Sequence, residues 1–110
     1  MYTALLAHLL IGPLMLILGY VYYRFPPKKI NHLYGYRTPR SMRSLGAWDC
    51  GNQYSAKALL VVSGLTCLAQ IIFYTLIGGE SSILWSASFL VVGLVGVIPL
   101  TEIHLKKNGF

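Results

Sequence analysis

The chain has 110 residues, of which 55% are hydrophobic and only 11% charged, with a formal net charge of +6. Soluble globular domains carry about 25% charged residues, so this composition excludes an ordinary soluble domain. Three uncharged runs, Tyr2 to Tyr23, Ala58 to Gly79 and Ser81 to Thr101, are each 21 or 22 residues long. A helix needs about 20 apolar residues to cross a bilayer. We therefore predict an all-α integral membrane protein with three transmembrane helices.

The first span is predicted over residues 3–23. Its Gly12-Pro13 pair should kink the helix, because proline has no amide hydrogen and its ring clashes with the preceding turn. His8 lies near the outer end, where it can face the interface. No basic residue precedes the apolar run and no small-residue cleavage site follows it, so we predict a retained span and not a cleaved signal peptide.

The polar stretch from Arg24 to Lys57 holds seven of the nine Lys and Arg residues. Three crossings place this stretch on the same side as Lys106 and Lys107, and basic segments stay in the cytoplasm. We therefore predict the N-terminus outside, the C-terminus inside and a structured basic cytoplasmic loop over residues 24–55. Its charges should attract anionic lipid head groups. Direct nucleic-acid binding is not expected of a loop tethered at both ends to a bilayer.

Within this loop, Thr38-Pro39 has the character of a helix start, with threonine as the N-cap. The sequence predicts a short interfacial helix over Pro39–Leu45, with Arg37, Arg40 and Arg43 along one face. A second helix start at Ser44 would extend the next span into the cytoplasm.

That extension would place Trp48, Asn52 and Ser55 on one helical stripe. The second and third spans are predicted over residues 56–78 and 82–101, which completes a single membrane domain over residues 1–110. Gln70 should form an interhelical hydrogen bond, and Glu102 should meet basic groups at the cytoplasmic end. Small residues such as Gly93 and Gly96 should allow close helix packing.

No residue pattern predicts catalysis, transport or metal binding. The spans contain no acidic residue, which argues against a small multidrug exporter. His32, Asp49, Cys50 and His104 match no compact metal-ligand spacing. We therefore expect a non-enzymatic protein without a cofactor or bound metal.

Two interpretations of the loop's arginine, tryptophan and asparagine residues remain open. They can form an interfacial hairpin, with arginines on lipid phosphates and Trp48 as an anchor. Alternatively, the arginines can form a docking patch for an acidic partner, because arginine binds carboxylate and phosphate in a bidentate manner.

The segment Gly35-Tyr36-Arg37-Thr38-Pro39-Arg40-Ser41-Met42, followed by Trp48 and Asn52-x-Tyr54-x-x-Lys57, closely resembles the SdpI/YfhL family of small bacterial membrane proteins. The resemblance extends from about Pro26 to Gly64. Family members more often have acidic residues where this chain has Leu45-Gly46-Ala47, so this loop is more basic.

The resemblance implies a bacterial inner-membrane protein of the immunity type, which protects against a membrane-active peptide toxin. It also implies a possible cytoplasmic repressor as a partner, so a membrane dock for a transcriptional regulator is an alternative. A small lipid-head-group-binding protein or enzyme is a further alternative. The residues of the shared module are the candidate partner-binding residues: Asn31, Gly35, Tyr36, Arg37, Thr38, Pro39, Arg40, Arg43, Trp48, Asn52 and Lys57.

Overall fold

The computed structural model describes residues 2–31 and 34–110, and within them every regular element is helical. The helices are α1 (Tyr2–Ile11), α2 (Pro13–Arg24), α3 (Leu45–Leu76) and α4 (Gly79–Lys107). Three segments are long and apolar enough to cross a membrane, namely Leu5–Arg24, α3 and α4. The prediction of an all-α protein with three transmembrane helices is confirmed.

The first span is interrupted at Gly12, where the Gly12-Pro13 pair predicts a kink. Gly12 is buried, and a Cβ atom at this position would collide with Oε1 of Gln70 and lie 3.0 Å from Sγ of Cys67. Glycine at this position therefore leaves room for the Gln70 side chain and allows the close approach of this span to α3.

Helix α3 begins at Leu45, where the hydroxyl oxygen of Ser44 accepts a hydrogen bond from the Ala47 amide at 3.1 Å. Its 32 residues correspond to a length of about 48 Å, whereas the hydrocarbon core of a bilayer is about 30 Å thick. Helix α3 begins 11 residues before the predicted span of 56–78 and ends two residues short of it, whereas α4 extends beyond the predicted span of 82–101 at both ends. The membrane boundaries within these helices remain predictions.

The interior of the bundle is more polar than its surface. Among the described residues, six buried side chains are hydrophobic and nine are polar. The polar ones are Ser41, Asn52, Ser55, Ser63, Thr66, Gln70, Ser82, Ser86 and Thr101. Since lipid tails are as apolar as leucine, burying apolar side chains does not drive helices together in a bilayer, and small or hydrogen-bonding residues pack between them.

His8 joins α1 to both other spans at the end of the bundle away from the loop. The Gln70 amide nitrogen donates to the His8 carbonyl oxygen at 2.7 Å and lies 3.1 Å from Nδ1 of the ring, which confirms the predicted interhelical hydrogen bond. Nε2 of His8 lies 3.0 Å from the hydroxyl of Ser82, which itself donates to the Gly79 carbonyl. His8 therefore faces the other helices and is not simply an interfacial side chain.

We predicted that Gly93 and Gly96 of α4 allow close helix packing, and the structure confirms this at Gly93 alone. A Cβ atom at Gly93 would lie 2.6 Å from Cγ1 of Val62, so the two helices touch there. The corresponding position at Gly96 has open space around it. Gly93 thus allows α3 and α4 to approach, whereas the prediction for Gly96 is wrong.

Candidate functional site

The loop between the first two spans folds over the ends of α2, α3 and α4. We call residues 25–31 and 34–44, together with the first two turns of α3, the loop cap. Trp48 is its anchor: the side chain is 0% exposed, and its indole nitrogen donates to the Pro27 carbonyl at 2.9 Å. This contact fixes the chain leaving α2 against the start of α3.

Asn52 connects α2, the loop and α3 through one side-chain amide. Its nitrogen donates to the Trp48 carbonyl at 2.8 Å, within α3. Its oxygen accepts from the Tyr22 hydroxyl of α2 at 2.5 Å and from the Tyr36 backbone amide at 2.7 Å. The Tyr22 hydroxyl also lies 2.8 Å from the hydroxyl of Ser55. A buried amide with satisfied partners on α2, the loop and α3 specifies one arrangement of these segments.

Gly35 permits the loop to pass directly over Asn52. Its φ of +109° is a conformation that residues with a side chain rarely adopt. A Cβ atom here would lie 2.5 Å from Oδ1 of Asn52 and 2.7 Å from Cγ of Pro27. Both the backbone conformation and the lack of space require glycine.

Thr38 and Ser41 close a turn in place of the predicted interfacial helix. The Thr38 amide donates to the Ser41 hydroxyl oxygen at 2.8 Å, and the Ser41 amide donates to the Thr38 hydroxyl oxygen at 3.2 Å. Residues 39–42 form turns, with Pro39 exposed, and the chain is not helical before Leu45, where α3 begins. The prediction of that helix is wrong, because the reciprocal bonds of Thr38 and Ser41 satisfy the local backbone without a longer helix.

Because that helix does not form, Arg37, Arg40 and Arg43 do not lie along one helical face. Arg40 turns towards α4, where its Nε lies 3.5 Å from Oε2 of Glu102 and its Nη1 donates to the Phe110 carbonyl at 2.6 Å. Arg37 and Arg43 are exposed. Glu102 therefore meets a basic group, as predicted, and the loop and the end of α4 lie at the same end of the bundle.

Two remaining candidate residues lie at the edges of the loop cap. Asn31 closes a local turn, donating to the Lys29 carbonyl at 2.9 Å and accepting from the Tyr34 amide at 2.7 Å. Lys57 is exposed on α3. Neither belongs to the buried network around Asn52.

Tyr36 packs against α4, where its hydroxyl donates to the Ile98 carbonyl at 3.2 Å. Burial, and to a lesser extent the negative charge of Glu102, raises the pKa of Tyr36 to about 12. Both effects favour the neutral phenol, which can donate the hydrogen bond.

This shift predicts a loss of stability at high pH. The pKa of Tyr36 rises from 10.0 to about 12 on folding, so the unfolded state releases its proton first. The stabilisation is therefore complete below pH 10 and is lost as the pH rises towards 12. We expect Tyr36→Phe to lower the unfolding temperature at neutral pH, because the hydroxyl no longer donates to the Ile98 carbonyl. The unfolding temperature of the variant should also fall less steeply between pH 10 and pH 12 than that of the unmodified protein. An equally steep alkaline decline in the variant would contradict this assignment.

Two of the cavities formed by the described residues lie along the helices. The larger, of about 480 Å³, is an apolar groove between α3 and α4, lined by Val62, Leu65, Phe73, Trp85, Ser88, Phe89, Val92 and Gly93. The smaller, of about 200 Å³, lies beneath the loop cap and is lined by Tyr22, Gly35, Tyr36, Ser55, Leu59, Leu94, Val97 and Ile98.

Comparison with known proteins gives the family. The SdpI/YfhL protein family matches residues 28–101, which is most of the chain. The chain belongs to the SdpI/YfhL family. It is also 40% identical over 95 residues to the uncharacterized protein YfhL of Bacillus subtilis (strain 168), covering 86% of this chain and 82% of that protein. No solved structure matches the chain.

The SdpI/YfhL family match includes the loop cap from residue 28 onwards, α3 and most of α4, but not the first span. The structure brings Gly35, Tyr36, Trp48 and Asn52 together within this range. Sequence reasoning did not predict Tyr22 and Pro27 as partners of these motif residues, and it did not assign Ser41 and Ser55 to the candidate site, whereas Glu102 meets a basic group as predicted. Ser41 stands in the motif itself, and Ser55 shares a helical stripe with Asn52. Nothing in the sequence distinguishes Tyr22 from any other tyrosine near the membrane interface, so its bond to Asn52 could not be predicted.

Among the described residues, no group of three or more His, Cys, Asp and Glu side chains is placed to hold a metal ion. His32, one of the residues considered for such a group, lies outside them. Cys50 and Cys67 are free thiols.

Proposed function

We propose that this protein is a non-enzymatic immunity protein of the bacterial cytoplasmic membrane, which protects the cell against a membrane-active peptide toxin. The observation that carries the proposal is the apolar groove between α3 and α4, which lies within the two spans. Membership of the SdpI/YfhL family supports a membrane role, and the resemblance of the loop motif supports an immunity role.

The volume of the groove is comparable to that of one turn of a peptide helix. One helical turn, about 10 Å wide and 5.4 Å long, occupies roughly 420 Å³, and the groove has a volume of about 480 Å³. Within a bilayer an apolar helix gains little from leaving lipid, so complementary packing decides where it binds. The rings of Phe73 and Trp85, whose centroids lie 6.0 Å apart, form an aromatic wall of the groove. A toxin helix seated there would be held beside this protein instead of assembling with other toxin molecules.

The loop cap has a supporting role in this proposal. Gly35, Trp48 and Asn52 are engaged in contacts within the protein, so they are not free to contact a toxin directly. Their contacts fix the start of α3 against α2 and the loop. We infer that the family motif maintains the relative positions of the helices on which the groove depends.

Filling the groove tests the proposal. Ser88 lines the groove and is exposed, so Ser88→Trp should occupy the space of a toxin side chain without disturbing the bundle interior. We test a panel of membrane-active peptides on a sensitive strain. The toxin concentration that kills cells with Ser88→Trp should be at least roughly tenfold lower than the concentration that kills cells with the unmodified protein. A tenfold change corresponds to about 1.4 kcal/mol of lost binding free energy. The matched control is Val91→Trp, since Val91 is 57% exposed on the same helix and does not line the groove.

Survival should be compared at equal amounts of membrane-inserted protein. Absence of protection by the unmodified protein against every peptide would contradict the immunity role. Full protection by the Ser88→Trp variant would show that the groove does not bind the toxin.

A second candidate function is a dock for an acidic cytoplasmic regulator. It is favoured by the positive charge of the loop cap, in which Arg37 and Arg43 are exposed. In that case the Ser88→Trp variant should still co-purify with the regulator, because the substitution lies in α4 and away from the loop. The same variant therefore separates the two functions.

A further inference from the structure

The loop cap has exposed apolar side chains close to the end of the first span. Phe25, which follows the last residue of α2, is 66% exposed, and Ile30 is 39% exposed. The Tyr34 ring is exposed as well, and its hydroxyl donates to the Phe25 carbonyl at 2.7 Å. Trp48, the membrane anchor in one interpretation of the sequence, is instead buried against the bundle. Phe25, Ile30 and Tyr34 are thus candidates for the part that Trp48 does not take.

Hydrogen bonds hold residues 25–31 as a compact turn whose inner point is Pro27. Pro27 is buried, and its carbonyl accepts from the Trp48 indole at 2.9 Å. The side-chain nitrogen of Asn31 donates to the Lys29 carbonyl at 2.9 Å. Because Pro27 faces the bundle, the side chains on either side of it, at residues 24–26 and 28–30, remain exposed. The turn therefore presents apolar and basic side chains together at the surface.

This turn lies at the depth where the first span ends. The candidate span is Leu5–Arg24, and Phe25 follows it without a linker. Tyr20 and Tyr23 are exposed in the last turns of α2, and tyrosines are enriched where a span meets the head groups. Helix α2 packs against α3 but not closely against α4, so much of its perimeter is open to lipid. Phe25 and the residues after it therefore leave α2 beside the head-group layer.

The charge of the turn matches an anionic bilayer surface. Lys28 and Lys29 are exposed between Phe25 and Ile30, and the chain has no acidic residue before Asp49. Lysine can bury its hydrocarbon stem while its ammonium group stays in water, which suits the head-group layer. Basic residues beside the cytoplasmic leaflet attract anionic lipids. An acidic protein would pair with the lysines but leaves the exposed apolar side chains unexplained, whereas a bilayer interface accommodates both.

We propose that the turn over residues 25–31 lies in the bilayer interface on the loop side, which the positive-inside rule makes the cytoplasmic leaflet. Phe25 and Ile30 insert beneath the lipid phosphates, and Lys28 and Lys29 pair with anionic head groups. This surface is separate from the groove between α3 and α4, and the proposal does not depend on the immunity role. The turn joins the loop cap to the bilayer, so this part of the loop cap is not available to a cytoplasmic regulator.

Spin labels on the full chain in nanodiscs test the depth of the turn. Cys50→Ser and Cys67→Ser remove the native thiols. A nitroxide is then attached to Phe25→Cys or to Ile30→Cys, one at a time, so that the other apolar side chain stays in place. In bilayers that contain phosphatidylglycerol, we expect both labels to lie about 5–10 Å into the boundary between head groups and acyl chains. Their collision rate with a water-soluble nickel complex should be several-fold lower than that of a control label.

The matched control is a label attached to Leu45→Cys. Leu45 is also apolar and is 54% exposed, but it begins α3 well outside the predicted span, so its label should be open to water. Labels at Phe25 and Ile30 that are as accessible to the nickel complex as the label at Leu45 would overturn the proposal. That result would leave the basic surface open to an acidic regulator instead.

A change of charge tests the part assigned to the lysines. Lys28→Gln combined with Lys29→Gln should make the Ile30 label shallower in phosphatidylglycerol bilayers, towards its depth in phosphatidylcholine bilayers. Lys106→Gln combined with Lys107→Gln is the control, because these lysines are exposed at the end of α4 and not in the turn. Equal depths in the two kinds of bilayer, or equal effects of the two double variants, would contradict the pairing of Lys28 and Lys29 with anionic head groups.

Discussion

Replacing Trp48 by alanine should destabilise the protein more than any other single truncation in the loop cap. The side chain is 0% exposed, and truncating a buried tryptophan costs about 3–5 kcal/mol of unfolding free energy. The substitution also leaves the Pro27 carbonyl without the donor that fixes the loop to α3. We expect a large drop in the thermal unfolding temperature in detergent, and the loss of protection against toxin along with it.

Trp85→Ala is the matched control for this prediction. Trp85 is 56% exposed in α4, so its truncation should leave the unfolding temperature close to that of the unmodified protein. Because Trp85 lines the groove between α3 and α4, its variant should nevertheless weaken protection. An unfolding temperature for Trp48→Ala that equals that of Trp85→Ala would show that the loop cap does not stabilise the bundle.

Gly35→Ala should have the second largest effect on stability. A φ of +109° disfavours a residue with a side chain by about 1–3 kcal/mol, and the added methyl group would also collide with Asn52 and Pro27. Relief of these contacts requires the loop to move away from Asn52, which breaks the hydrogen bond from the Tyr36 amide. We therefore expect faster backbone amide exchange in the loop and a lower unfolding temperature.

Gly79→Ala is a control that separates the cost of a positive φ from the cost of steric contacts. Gly79 also has a positive φ, of +57°, but a Cβ atom there would meet nothing within 4 Å. Its replacement should show only the backbone cost, which is the smaller part of the effect at Gly35. Similar losses of stability in the two variants would mean that the contacts of Gly35 with Asn52 and Pro27 add nothing.

These two predictions also bear on how the family motif contributes to function. If the motif residues act by positioning helices, then Trp48→Ala and Gly35→Ala should reduce protection and thermal stability together. Ser88→Trp should instead reduce protection while thermal stability remains. The combination separates residues that maintain the structure from residues that line the proposed toxin groove.

The sequence alone determined the membrane architecture of this protein. Three uncharged runs of sufficient length predict three spanning helices, because a backbone in lipid must satisfy its hydrogen bonds internally. Gly12-Pro13 predicted the interruption of the first span, and Gln70 predicted an interhelical hydrogen bond. The loop motif predicted the family. These features depend on local composition or on short patterns, which a single sequence contains.

Only the tertiary structure decided which side chains meet. His8 faces Gln70 and Ser82, 62 and 74 residues away along the chain. Arg40 leaves the predicted arginine face for Glu102 and the Phe110 carbonyl. In both cases the direction of a side chain depends on a partner supplied by another helix. Hydropathy and spacing place a residue on its own helix, but they do not determine the partner it contacts across the bundle.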